Sequence, residues 1–222
     1  MAQTAAAPDR PLRADAERNR ERILAAAREV FAEHGLDAGL HVIAKRAGVG
    51  VGTVYRRFPE KEQLIEALFE DRVAEVLVIA EQALAFEDGW TGLEHFLHGT
   101  CELQVADRGM HQLVFQSAKT SHCAAGARER IAPLVAQLVA RAQQQGTMRG
   151  DIAAFDVGLI RQQVGFVIES LGEAAPAVWP RVLALALDGL RASRSGPTPL
   201  PGTSPTPETF EQVLAANKGR RA

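Results

Sequence analysis

The chain has 222 residues, 46% of them hydrophobic, and a formal net charge of −2, enough for one sizeable core or for a small domain joined to a larger one. The near-neutral total hides a polarity, because residues 1–61 hold 11 Lys+Arg against 8 Asp+Glu while the remainder is acidic, which suits a protein that presents one end to a polyanion. No uninterrupted apolar run approaches the roughly 20 residues of a membrane span, and Cys101 and Cys123 have no metal-ligand spacing, so the expectation is a cytoplasmic protein with reduced thiols, no leader peptide and no membrane partner.

Residues 1–14 are polar and rich in Ala and Pro, and are expected to form a flexible arm. Arg10, Arg13, Arg18, Arg20 and Arg22 lie in or beside it, equally suited to phosphates, to a minor groove or to a solvated helix start. Ile23, Ala27, Val30 and Phe31 then recur at helical spacing and predict a first helix over about residues 16–34, with Gly35 ending it as a C′ residue.

Between Leu40 and Lys61 stand two short apolar-periodic runs separated by Gly48-Val49-Gly50, the right length for the turn of a helix-turn-helix. In the first run Leu40, Ile43, Ala44 and Ala47 share an inward arc, leaving His41, Val42, Lys45 and Arg46 outside. In the second, Val51, Val54 and Phe58 are expected inside, Tyr55 at the border, and Gly52, Thr53, Arg56 and Arg57 outside. That outer face suits a major groove: arginine pairs with a guanine edge, threonine reaches a base edge or a thymine methyl, and glycine lets the backbone come close. Pro59 stops the helix and the next begins at about residues 60–61. A solvated, charged helical hairpin is the competing reading of the same pattern.

The run AGVGVGTVYRRFPEKEQL resembles the DNA-binding core of the TetR family of bacterial transcriptional regulators. The matching positions are Ile43-Ala44, Ala47-Gly48-Val49, Gly52-Thr53, Tyr55, Phe58 and Lys61. The chain departs from the usual pattern at Gly39, where a capping threonine is common, and at Gly50-Val51, where a serine and a polar residue are common. The resemblance implies an all-α protein with an N-terminal three-helix helix-turn-helix DNA-binding domain over residues 15–60. A C-terminal helical ligand-binding and dimerisation domain would follow over 61–194. It also implies a homodimer on double-stranded DNA at an inverted repeat, probed by bases facing Gly52, Thr53, Arg56 and Arg57 and by phosphates facing Arg46, Tyr55 and Lys61. A small-molecule effector releasing a repressor completes that expectation.

Beyond the motif, one long helix is predicted over about 60–85, buried through Leu64, Leu68, Val73, Val76, Leu77 and Ala80, and broken by Phe86-Glu87-Asp88-Gly89. Further helices are predicted over about 90–106, over 110–119, and over 124–145, where Pro133 should bend the helix or mark its early turns and Gly146 closes it. Over 155–171 apolar residues cover more than half the circumference, leaving a narrow polar strip at Arg161, Gln162 and Glu169, and the segment over 181–190 is apolar nearly all round; helices of that kind need burial on most sides. They are expected to pair with their copies in a four-helix dimer interface through Leu159, Val167, Leu171, Val182, Leu183, Leu187 and Leu190; a hairpin buried inside a monomer is the alternative. Large, soft or polar residues expected on inner faces, Trp90, Phe96, Cys101, Phe115, Gln116 and Phe166, are the candidates for lining an effector pocket.

His95, His98 and Cys101 recur every third residue but fan across about 120° of helix surface, so no metal site is expected, and no cofactor. No nucleophile triad, phosphate loop or carboxylate pair stands at informative spacing, and the chain is not expected to be an enzyme. A dimeric interaction module without DNA binding and an all-α small-molecule carrier or enzyme are the rival classes. Residues 195–222 are rich in Pro, Ser and Thr and are expected to be disordered.

Overall fold

The computed structural model describes residues 9–106, 122–171 and 175–193. Among them the chain forms eight helices: α1 (Asp9–His34), α2 (Leu40–Ala47), α3 (Val51–Arg57), α4 (Lys61–Leu84), α5 (Gly89–Ala106), α6 (His122–Gln144), α7 (Ala154–Leu171) and α8 (Val178–Leu190). The architecture is all-α, as expected, and no helix among the described residues is long and apolar enough to cross a membrane. The segment expected as a helix over 110–119, with Phe115 and Gln116, and the tail from 194 onward lie outside the described residues.

Helix α1 starts at Asp9, inside the stretch expected to be a flexible arm. Pro11 does not prevent this, because it falls in the first turn, where no helical acceptor awaits its missing amide hydrogen. The helix ends where Gly35 turns to φ 75° and its amide donates to the Phe31 carbonyl at 2.9 Å. Ile23, Ala27, Val30 and Phe31 are fully buried and meet Ile43, Ala44 and Val54 from the next two helices, so the head's core is built from the periodic residues. Gly48, at φ 63°, closes α2 while Val49 N donates to Ala44 O at 3.1 Å. Arg22 reaches across from α1 and caps the same end, with Nη2 at 2.8 Å from Ala47 O. Its guanidinium, a candidate for DNA from sequence, therefore serves the helix-turn-helix itself.

Helix α4 belongs to two cores. Leu64, Leu68, Phe69 and Val73 pack with α1 to α3, whereas Ala80 and Ala83 pack with α5, α6 and the last two helices. A polar strip runs along its middle: Arg28 on α1 lies 3.5 Å from Asp71 and 3.4 Å from Glu75, and Arg72 pairs with Glu75 at 3.0 Å while donating to Leu103 O at 3.3 Å.

Asp88 caps the start of α5 by accepting from Thr91 N at 2.9 Å, and those hydrogen bonds hold its carboxyl below the usual carboxylate range. Two glycines bring α5 against its neighbours. A Cβ on Gly89 would stand 2.6 Å from Ala142 N, and one on Gly92 would stand 2.5 Å from Ala83 O. Pro133 lies in the interior of α6 rather than in its early turns, and Gly146 ends the chain's return at φ 71°. The loop between α6 and α7 is tied to the end of α8 by Arg149 N donating to Leu190 O at 3.0 Å and Ala192 N donating to Thr147 O at 3.1 Å.

The faces of α7 and α8 differ from the expectation. Leu183, Leu187 and Leu190, expected at a dimer interface, are buried in the chain's own core with Val157, Val164 and Ile168. The exposed apolar side chains are instead Phe155, Leu159 and Phe166 of α7, spaced i, i+4, i+11 on one stripe, and Leu185 of α8. Val167, Leu171 and Val182 are half-buried at the margins. The reason is the rotation of α8: Leu183, Leu187 and Leu190 share one side, which packs inward, while Leu185 lies on the other side with Arg181 and Asp188.

Candidate nucleic-acid interface

Helix α3 has two turns, and Val54 is its single buried residue, with Phe58 just past its end also buried. Those two side chains, four residues apart, anchor it to α1 and α2. Everything else on α3 faces outward. Gly52, Tyr55, Arg56 and Arg57 are exposed and Thr53 is half-buried, so the side chains expected to face DNA share one open surface. Arg56 has no hydrogen bond or ion pair with the described residues, and Arg57 has only Glu17 at 4.0 Å.

Val51 corrects the sequence reading. It was placed inside, yet it is 44% exposed, because Val49 in the preceding turn supplies the apolar contact to the head's core at that end. Glycine stands on both sides of it. A Cβ on Gly52 would meet nothing within 4 Å, and the nearest atom to one on Gly50 would be Thr53 Oγ1 at 3.8 Å. Gly50 sits at φ −63°, a conformation any residue adopts.

Two of the basic residues assigned to phosphates are engaged within the chain. Arg46 donates to Glu29 at 2.9 Å and to both carboxylate oxygens of Glu33, at 3.0 and 2.6 Å, so its fork is filled by α1. Lys61 Nζ donates to Leu36 O at 2.8 Å, tying the start of α4 to the loop after α1. An ammonium carries three donors, and this bond uses one.

The effector candidates divide. Trp90, Phe96 and Cys101 are buried in the body's core, and burial pushes the Cys101 thiol up to about 11, which keeps it a neutral, unreactive thiol at ordinary pH. Phe166 is 67% exposed on the opposite side of α7 and lines no interior space of the single chain, contrary to the expectation. Sequence reasoning missed a polar cluster beside Cys101. Gln104 Nε2 donates to Gly165 O and to Glu169 Oε1, each at 3.1 Å, and Arg161 Nη2 donates to Gln104 Oε1 at 3.1 Å. Burial lowers the pKa of Arg161. The signal was present as the polar strip Arg161, Gln162 and Glu169 on an otherwise apolar helix. His95 packs on Phe86, with ring centres 5.2 Å apart, and His98 on Trp179 at 6.1 Å, so the two imidazoles face different neighbours.

Comparison with known proteins bears on both the head and the body. The family model described as bacterial regulatory proteins, tetR family, matches residues 23–68, and one described as the C-terminal domain of SbtR-like transcriptional regulators matches residues 88–192. The HTH-type transcriptional regulator UidR of Escherichia coli is 31% identical over 153 residues, covering 64% of this chain and 74% of UidR. A TetR transcription regulatory protein from Mycobacterium vanbaalenii is similar in structure, with TM-score 0.61, 34% identity, and 82% and 99% of the two chains covered. A TetR regulator from Streptomyces coelicolor is comparable, with TM-score 0.62, 33% identity, and 79% and 99% covered. With a helix-turn-helix presented as above and both halves matched, this chain belongs to the TetR family and is a DNA-binding transcriptional regulator.

Proposed function

We propose that the protein is a homodimeric, cytoplasmic repressor that holds an inverted-repeat operator and is released by a small-molecule effector bound in its helical body. The observation that carries the reading is the outer face of α3, where Gly52, Thr53, Tyr55, Arg56 and Arg57 are turned away from the core around the buried Val54. In this reading Gly52, Thr53, Arg56 and Arg57 face bases, while Tyr55 and the two unused donors of Lys61 face phosphates. Arg46 contributes by holding α2 on α1. The head spans about residues 15–60 with α4 as its link to the body. The second copy docks on the stripe of Phe155, Leu159 and Phe166 with Leu185, rather than on the buried leucines of α8. The polar cluster around Gln104, Arg161 and Glu169 offers hydrogen bonds to an effector, and the Arg72–Glu75–Arg28 strip joins that region to α1.

The test is fluorescence anisotropy against duplexes tiling the DNA upstream of the protein's own coding region, repeated over several salt concentrations. Tight binding to one tile supports a sequence-specific repressor; weak, uniform binding that salt removes would reject it. Arg56→Ala is expected to lose about 1–3 kcal/mol of discrimination at one base pair per half-site. Lys61→Ala is expected to weaken binding to all sequences and to reduce the salt slope by about 1. Equal, salt-independent losses from both substitutions would reject these assignments.

A further inference from the structure

The sequence assigned Val51 to the core, and the structure leaves it 44% exposed on the surface of α3. An aliphatic side chain exposed to that degree contributes little to either core of its own fold. Gly50 stands at the N-cap of α3, where glycine is one of several residues that serve, but Gly52 is unexplained from within: it has no positive φ, and an added Cβ meets open space. A valine standing between two residues without side chains makes a small apolar knob on a surface otherwise cleared for close approach. On the helix that this protein turns to DNA, the approaching surface is the major-groove floor. The apolar group displayed there is the thymine C5 methyl; the other base edges in that groove present donors and acceptors.

We propose that Val51 is a specificity-determining residue that recognises a thymine by packing its γ-methyls on the C5 methyl, with Gly50 and Gly52 keeping the backbone close enough for that contact. The inference rests on the DNA-binding reading of α3. It adds a residue that reads a base by shape and burial, beside arginines that read by hydrogen bonding. One thymine per half-site would be selected over cytosine, which has no methyl and carries an amino donor where thymine has an acceptor.

The experiment is selection of the full-length protein on a random duplex library, followed by replacement of each enriched thymine, one at a time, with deoxyuridine. Because the library holds no 5-methylcytosine, a methyl contact can come only from thymine. The wild type is expected to show one thymine per half-site whose replacement weakens binding roughly fourfold, the effect of about one buried methyl group. Val51→Ala is expected to bind the thymine and deoxyuridine duplexes alike, with a melting midpoint changed by no more than a few degrees, since the side chain is 44% exposed and lies outside both cores. Gly52→Ala, measured in parallel, is expected to weaken binding to the enriched site while its melting midpoint holds or rises. A full deoxyuridine scan without any penalty, or a penalty that persists in Val51→Ala, would overturn the assignment. Failure to enrich any sequence would overturn the DNA-binding reading of α3 and this inference with it, an outcome distinct from an enriched site that ignores the methyl.

Discussion

Phe166→Glu is expected to give a folded monomer that has lost operator affinity by about a hundredfold or more. Phe166 is 67% exposed and Phe155 70%, on one stripe of α7 with Leu159, so the single chain derives little stability from either ring. Burying a phenylalanine side chain contributes roughly 1.5–3 kcal/mol, and a two-fold axis counts each residue twice. Glutamate at that place must shed its hydration against an apolar partner or keep the two copies apart. Once the copies separate, each head binds its half-site alone, and the roughly 10²–10⁴-fold gain from linking two binding events disappears. Sedimentation velocity and operator anisotropy check the two halves of this result. A variant that remains dimeric with full affinity would remove α7's outer stripe from the interface.

Gly92→Ala is expected to act on stability, and strongly for the addition of one methyl. Its Cβ would lie 2.5 Å from the Ala83 carbonyl oxygen and 3.3 Å from Leu138 Cδ2, and the first of these is backbone of α4 that cannot rotate aside. Overpacking of this kind costs about 1–3 kcal/mol, with a backbone clash at the upper end, and the helix propensity gained by alanine returns only about 1 kcal/mol. The net of about 2 kcal/mol corresponds to a midpoint lower by roughly 4–8 °C in a chain of this size. Thermal melts followed by circular dichroism read it directly. The same substitution at Gly52, where no atom lies within 4 Å, has the propensity gain unopposed, so the pair should shift in opposite directions. A neutral Gly92→Ala would mean that α4 and α5 separate more easily than their spacing indicates.

The head was legible because its chemistry is local. Ile23, Ala27, Val30 and Phe31 repeat at one helical period, Gly35 and Gly48 occupy left-handed positions that glycine fills without strain, and Pro59 stops α3 where a stop is needed. What the sequence left ambiguous depends on partners far along the chain. Arg46 and Lys61 read as free cations, yet Glu29, Glu33 and the Leu36 carbonyl claim them, and no periodicity announces an ion pair between helices. Leu183 and Leu185 are equally apolar and two residues apart; whether each meets its own core or a second copy is settled by how α8 is rotated on α7. Val51 went astray for a related reason: in a helix of two turns, Val49 just outside it satisfied the packing that the pattern assigned within.

The division of α4 between two cores has a thermodynamic consequence. Leu64, Leu68, Phe69 and Val73 complete the core of the head, and Ala80 and Ala83 of the same uninterrupted helix complete that of the body. Neither core can come apart without exposing apolar surface on a helix that the other still holds straight. Melting of one therefore raises the free energy of the other's native state, and head and body should denature together as a single cooperative unit. A cut after residue 60 would follow the edge of the motif and yet leave the head without the four side chains that close its core.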